Sequence, residues 1–144
     1  MPETEITASE WEVMRVVWSL GQVNSRDLID ILQQKRQWQD STIKTLLGRL
    51  VKKGYLNATK EGRRFSYTAT IAEMTAMDHA TQGLFAHLCE MKKGQTLTNL
   101  VKATTLSQAD VLALQAVLAT KLQTAPQTVA CNCLPNNCQC EQEA

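Results

Sequence analysis

From Trp11 onward, apolar residues Met14, Val17 and Trp18 recur at three- and four-residue steps, the period of a helix that packs along one side. Ser9-Glu10-Trp11-Glu12 has the spacing of a capping box and predicts where this helix starts, and Gly21 predicts its stop. Ser25 predicts the cap of a second, short helix with Leu28, Ile31 and Leu32 on one face. The third helix, over 41–53, is the informative one. Ile43, Leu46, Leu47, Leu50 and Val51 form an apolar stripe, Thr42, Thr45, Arg49 and Lys52 lie opposite, and Gly54 ends the pattern.

After Gly54 the period changes. The segments 55–59 and 65–69 are rich in β-formers and flank Lys60-Glu61-Gly62-Arg63-Arg64, which predicts a hairpin with a basic tip. Three short helices followed by a hairpin is the order of a winged helix-turn-helix. The expected fold class is therefore mainly α, with a small β-hairpin wing and further helices behind it. Thr70-Ile71-Ala72-Glu73 is a second capping box, and Met74, Met77, Leu84, Leu88 and Met91 suit one long helix running to about Lys93. Leu97, Leu100 and Val101 suggest a short helical piece. Ser107-Gln108-Ala109-Asp110 opens a last helix with Val111, Leu114, Leu118 and Leu122 along one side. These helices carry more apolar surface than a three-helix head can cover. Either they fold back on the head or a second copy covers them, and two-fold pairing is the natural solution.

Pro126 breaks the last helix, and beyond it only Val129 and Leu134 are large and apolar, too few to hold a fold without a ligand. The expected organisation is a winged-helix DNA-binding domain over 1–70, a helical dimerisation region over 71–125 and a cysteine-rich metal-binding tail over 126–144. A chain of 144 residues suffices for one core with extensions. No apolar run approaches the roughly 20 residues of a membrane span, and Met1-Pro2-Glu3-Thr4-Glu5 is acidic where a signal peptide is basic, so a cytoplasmic protein is expected.

The net charge of +1 hides an uneven distribution. Between Lys35 and Arg64 stand nine basic residues against Asp40 and Glu61, a local excess of seven, which leaves a net negative charge of six on the rest of the chain. Such a block suits a local polyanion site, or else a solvated charged face. Duplex DNA is read by an element in the major groove with hydrogen-bonding tips for base edges and cations for phosphates. The third helix offers both. Ser41, Thr42, Lys44, Thr45 and Arg49 are assigned to the groove, Lys52 to phosphates, and Arg63 and Arg64 to the backbone or the adjacent minor groove.

Four of the five cysteines, Cys131, Cys133, Cys138 and Cys140, fall within ten residues near the C-terminus. In a reducing compartment this clustering points to metal or redox chemistry rather than a disulfide framework. Thiolates are soft ligands for zinc and copper(I), and four of them can close a tetrahedral zinc site. The side chains of an extended Cys-x-Cys diverge, so Leu134-Pro135-Asn136-Asn137 must turn the chain for all four sulfurs to converge. His79, His87 and Cys89 fall on the predicted long helix, where His87 and Cys89 are too close to share a face, so a packed or partly exposed role rather than ligation is expected of them. The three tryptophans, Trp11, Trp18 and Trp38, suit core or core-edge positions. No nucleophile–base pair, glycine-rich phosphate loop or paired carboxylates stand out, and no enzyme is expected.

The motifs WEVM at 11–14, WQDSTIKTLLGRLVKK at 38–53 and the following GYL and hairpin resemble the BlaI/MecI family of winged-helix repressors over about residues 6–122. With the Cys-x-Cys-x4-Cys-x-Cys tail, the chain is similar to the copper-responsive, CopY-type branch of that family. The resemblance implies a homodimer on an inverted-repeat operator of double-stranded DNA, loaded with Zn(II) and displaced when Cu(I) replaces the zinc. It also implies control of a copper-export operon and a copper chaperone as the donor of Cu(I). The chain lacks the Asn-Phe pair at which the penicillinase-repressor branch is cut, which disfavours induction by proteolysis. The remaining alternatives are a repressor that senses zinc, cadmium or thiol oxidation, and a metal-storage or delivery protein with an incidental basic head.

Overall fold

The computed structural model describes residues 4–136, so Cys138 and Cys140 lie outside the described residues. The chain divides into two compact units, the first running to Gly83 and the second beginning at Leu84.

The first unit contains α1 (Ala8–Leu20), β1 (Gln22–Asn24), α2 (Ser25–Lys35), α3 (Asp40–Lys53), β2 (Leu56–Glu61), β3 (Arg64–Ala69) and most of α4 (Glu73–Ala86). This is the expected winged helix-turn-helix, with a three-stranded antiparallel sheet in the order β1-β3-β2. The cap of α1 is Thr7 and not Ser9. The Thr7 hydroxyl accepts from the Glu10 amide at 3.3 Å, and the Glu10 carboxylate accepts from the Thr7 amide at 2.9 Å. Likewise Asn24, not Ser25, caps α2, its side-chain oxygen accepting from the Asp27 amide at 2.8 Å. That cap follows from β1, which the sequence pattern does not reveal. Pairing of Gln22 with Thr68 and of Asn24 with Ser66 fixes the chain direction into α2.

Gly54 ends α3 as expected. It takes the left-handed conformation (φ 88°), and Tyr55 donates its amide to the Leu50 carbonyl at 2.9 Å, closing the helix end before β2 begins. The hairpin is tighter than the predicted five-residue turn, because Glu61 pairs with Arg64 and only Gly62 (φ 65°) and Arg63 link the strands. Behind these elements lies one core of Val13, Met14, Val17, Leu28, Leu32, Ile43, Leu47, Leu50, Tyr55 and Leu56. Trp18 and Trp38 pack at its edge as expected, the half-buried Trp11 lies against Trp18 with ring centroids 5.6 Å apart, and the Trp18 indole donates to the Ile71 carbonyl at 2.9 Å.

The second unit departs from expectation at one place. The helix predicted to run to Lys93 ends at Ala86. His87 and Leu88 close it with tight three-residue hydrogen bonds to Leu84 and Phe85, Cys89 is extended (φ −59°, ψ 124°), and a single 3-10 turn (Glu90–Lys92) leads into α5 (Lys93–Ala103). No glycine or proline marks this corner. The last helix, α6 (Gln108–Leu122), starts as predicted, with Ser107 and Asp110 capping each other at 3.0 Å. No residue of α5 or α6 is buried within the single chain. Leu97, Leu100 and Val101 on α5, and Val111, Leu114, Leu118 and Leu122 on α6, are all exposed. Among the described residues, no helix is long and apolar enough to cross a membrane.

Candidate functional site

α3 packs Ile43, Leu46, Leu47 and Leu50 into the core. Helical geometry therefore turns Ser41, Thr42, Lys44, Thr45, Arg49 and Lys52 outward, and all six are exposed. Gly48 lies among them, and a Cβ built there meets nothing within 4 Å. The Thr45 hydroxyl donates back to the Ser41 carbonyl at 2.9 Å, which leaves its oxygen able to accept. Arg63 and Arg64 are exposed at the end of the hairpin, as expected.

The nine basic residues of the central block separate into two sets. Lys35 and Arg36 pair with Glu12 at 3.3 and 3.1 Å, and Lys53 reaches the buried Glu10 at 2.6 Å. Arg36 and then Lys35 hold the Glu12 carboxyl below its ordinary pKa. By contrast, Lys44, Arg49, Lys52, Lys60, Arg63 and Arg64 make no ion pair among the described residues. The charges used internally thus sit at the C-terminal ends of α2 and α3, paired with α1, while the uncommitted ones lie along the exposed face of α3 and on the wing. Such an arrangement is suited to the phosphates of a nucleic acid.

The second candidate site joins the tail to the corner after α4. The sulfurs of Cys89, Cys131 and Cys133 lie within 4.8 Å of one another, and Cys89 Sγ is 3.6 Å from Cys131 Sγ. Two further contacts hold the tail there: the Glu90 amide donates to Asn132 Oδ1 at 3.0 Å, and the Cys133 amide donates to Cys131 Sγ at 3.4 Å. Cys131 and Cys133 are therefore not the diverging pair of an extended Cys-x-Cys, because the chain bends between them. Burial pushes the Cys89 thiol up. Cys133, the backbone amides of Met91 and Lys92, and the Lys92 charge outweigh it, so the thiol lies below its ordinary pKa.

Cys89 and Cys133 are thiols and Cys131 is disulfide-bonded, so in the reduced protein the three sulfurs form a donor set that fits a soft metal ion. Sulfurs at two corners of a zinc tetrahedron with bonds of about 2.3 Å stand about 3.8 Å apart, comparable with the separations found here. Of the four cysteines expected as ligands, Cys131 and Cys133 come together, and Cys138 and Cys140 fall outside the described residues. The expectation that Cys89 lies on a long helix is corrected: the helix stops three residues earlier, and the half-buried Cys89 groups with Cys131 and Cys133. The shared spacing of Leu84, Leu88 and Met91 with an unbroken helix conceals that corner; the remaining signal was a fifth cysteine in a chain with a cysteine cluster. His79 and His87 do not belong to the sulfur group.

The chain is 71% identical, over 96% of its length and 95% of the relative's, to an uncharacterised 16.5 kDa protein of the ptsI 3′ region of Latilactobacillus sakei. It is 28% identical to the methicillin resistance regulatory protein MecI of Mammaliicoccus sciuri, over 81% of this chain and 95% of that one. Among solved structures it is similar to the monomeric form of Bacillus licheniformis BlaI in complex with the blaP half-operator. The identity is 44%, the coverage 49% of this chain and 85% of that one, and the TM-score 0.45. The family profile described as penicillinase repressor matches residues 6–120, and the chain belongs to this family of DNA-binding transcriptional repressors, which are not enzymes.

Proposed function

We propose that the protein is a metal-responsive repressor that binds an inverted-repeat operator as a homodimer. Ser41, Thr42, Lys44, Thr45 and Arg49 meet base edges in the major groove, Lys52 meets a phosphate, and Arg63 and Arg64 reach the backbone or adjacent minor groove. This reading divides the chain into the DNA-binding head over 1–70, the dimerisation helices over 71–125 and the metal-binding tail over 126–144. A second copy covers the apolar stripes of α5 and α6, whose residues find no cover within one chain. In the cytoplasm, the tail thiolates of Cys131, Cys133, Cys138 and Cys140 hold Zn(II) in the DNA-bound form. Cu(I) delivered by a copper chaperone is the inducer, and a copper-export operon is the target.

The observation that carries the proposal is the grouping of three sulfurs within 4.8 Å in a chain whose head belongs to a repressor family. Cu(I) prefers fewer ligands than zinc, so exchange reshapes the tail. A tail shape that no longer braces the dimer lowers the population able to engage both half-sites. Selection of bound sequences from a randomised DNA pool with the zinc-loaded protein tests the DNA half. An inverted repeat with half-site centres about one helical turn apart is expected, and a single asymmetric half-site would contradict the dimer. Addition of Cu(I), Zn(II), Cd(II) or a thiol oxidant to the selected complex tests the metal half. Release by Cu(I) alone is expected, and a complex indifferent to all four would leave only a storage or delivery role for the thiols.

A further inference from the structure

The corner between α4 and α5 has a geometry that the tail alone does not explain. Cys89 is 42 residues from Cys131 in sequence, yet their sulfurs are 3.6 Å apart, and Cys133 completes a group in which every sulfur lies within 4.8 Å of the others. The backbone contributes a second, independent link at the same place, from the Glu90 amide to Asn132 Oδ1 at 3.0 Å. Cys89 and Cys131 are both half-buried, whereas Cys133 is exposed. Three sulfurs from two distant segments, all of them soft donors once Cys131 is reduced, are thus gathered at one point, with Cys133 exposed.

We propose that Cys89 is itself a ligand of the metal centre, which therefore spans the α4–α5 corner and the tail instead of lying within the tail alone. The proposal rests on the reading of the tail as a metal site; because zinc takes four ligands, Cys89 occupies one of the four positions beside Cys131 and Cys133 instead of adding to a closed set of four tail thiolates. It gives the metal a mechanical connection that a self-contained tail would lack. Ligation by Cys89 ties residues 131–133 to the segment that sets the path from α4 into α5, so a change of metal geometry is transmitted to helices that carry the exposed apolar stripes.

Alkylation of the reduced, full-length protein by iodoacetamide, with each cysteine followed by mass spectrometry in the presence and absence of zinc, tests this directly. Zinc is expected to slow alkylation of Cys89 together with that of Cys131 and Cys133. In parallel, Cys89→Ser is expected to lower zinc affinity, measured by competition with a chromogenic chelator, by at least the roughly tenfold that even an outer-shell partner contributes. If zinc protects Cys131 and Cys133 while Cys89 reacts at its metal-free rate, or if Cys89→Ser binds zinc as tightly as the wild type, the proposal is overturned and the tail centre stands. If zinc protects none of the five cysteines, both are overturned. The alkylation measurement on the wild type keeps the test decisive even if Cys89→Ser folds poorly.

Discussion

Lys53, the last residue of α3, places its ammonium 2.6 Å from Oε1 of Glu10, a carboxylate fully buried at the start of α1. The helix that carries the exposed cations is thereby locked at its C-terminal end to the first helix of the head. Burial pushes the Glu10 carboxyl up, and Lys53 and Thr7 pull it down further, so its pKa lies below the ordinary value. A carboxyl lowered in the folded state contributes stability that is present above the unfolded value, about 4.3, and lost as pH falls through the folded value. Urea unfolding is expected to show this acid loss in the wild type and a flatter pH profile in Glu10→Gln. At pH 7, Lys53→Met leaves a buried carboxylate without its cation and is expected to cost about 3 kcal/mol. A cost within about 0.5 kcal/mol, the range of an ordinary surface substitution, would mean that the pair does not hold α3 in place.

Arg49 and Lys52 differ in the role assigned to them, and so should their alanine variants. Loss of a base contact through Arg49 is expected to cost roughly 1–3 kcal/mol on the operator and to relax specificity. Loss of a phosphate contact through Lys52 should weaken all sequences alike and reduce the slope of log affinity against log salt by about 0.9. Equal losses on operator and random DNA for both variants would contradict the assignment.

Gly48 separates stability from binding. It lies inside α3 with open space where a Cβ would stand, so Gly48→Ala is expected to raise stability by about 0.5–1 kcal/mol. If the exposed face of α3 lies close against DNA, the same methyl group weakens operator binding. Thermal unfolding and operator titration should therefore move in opposite directions, and a variant that gains stability at unchanged affinity would remove Gly48 from the interface.

The exposed stripe on α6 predicts the effect of a charge within it. Leu118→Glu is expected to shift the protein from dimer to monomer in sedimentation at micromolar concentration, with the head's near-UV dichroism retained. Dimeric behaviour identical to that of the wild type would place the subunit contact elsewhere.

The head was legible in the sequence because its signals are local. The period changes from helix to strand at Gly54, and the stripes of α1, α2 and α3 all face one core. The errors arose where distant partners decide. Two overlapping patterns, Thr7-x-x-Glu10 and Ser9-x-x-Glu12, both fit a capping box, and the first forms while Glu12 is taken by Lys35 and Arg36 from α2 and its end. β1 has three residues, too few for an alternation to register, and exists through its pairing with β3. Cys89 was hidden by apolar spacing that continues a helix which the structure ends at Ala86. Its neighbours in space, Cys131 and Cys133, belong to a segment with no period of its own.

Fluorescence anisotropy of the zinc-loaded protein on labelled operator, titrated with Cu(I), tests the central claim most directly when the wild type is compared with a variant in which Cys131, Cys133, Cys138 and Cys140 are replaced by serine. The buried core cluster lies entirely within 13–56, so the variant's head should remain folded. A zinc site can add several kcal/mol of folding energy, so without it the variant is expected to bind the operator more weakly from the outset. The account predicts release of the wild type by Cu(I) and no further response from the variant; release of the variant at the same copper concentration would contradict it.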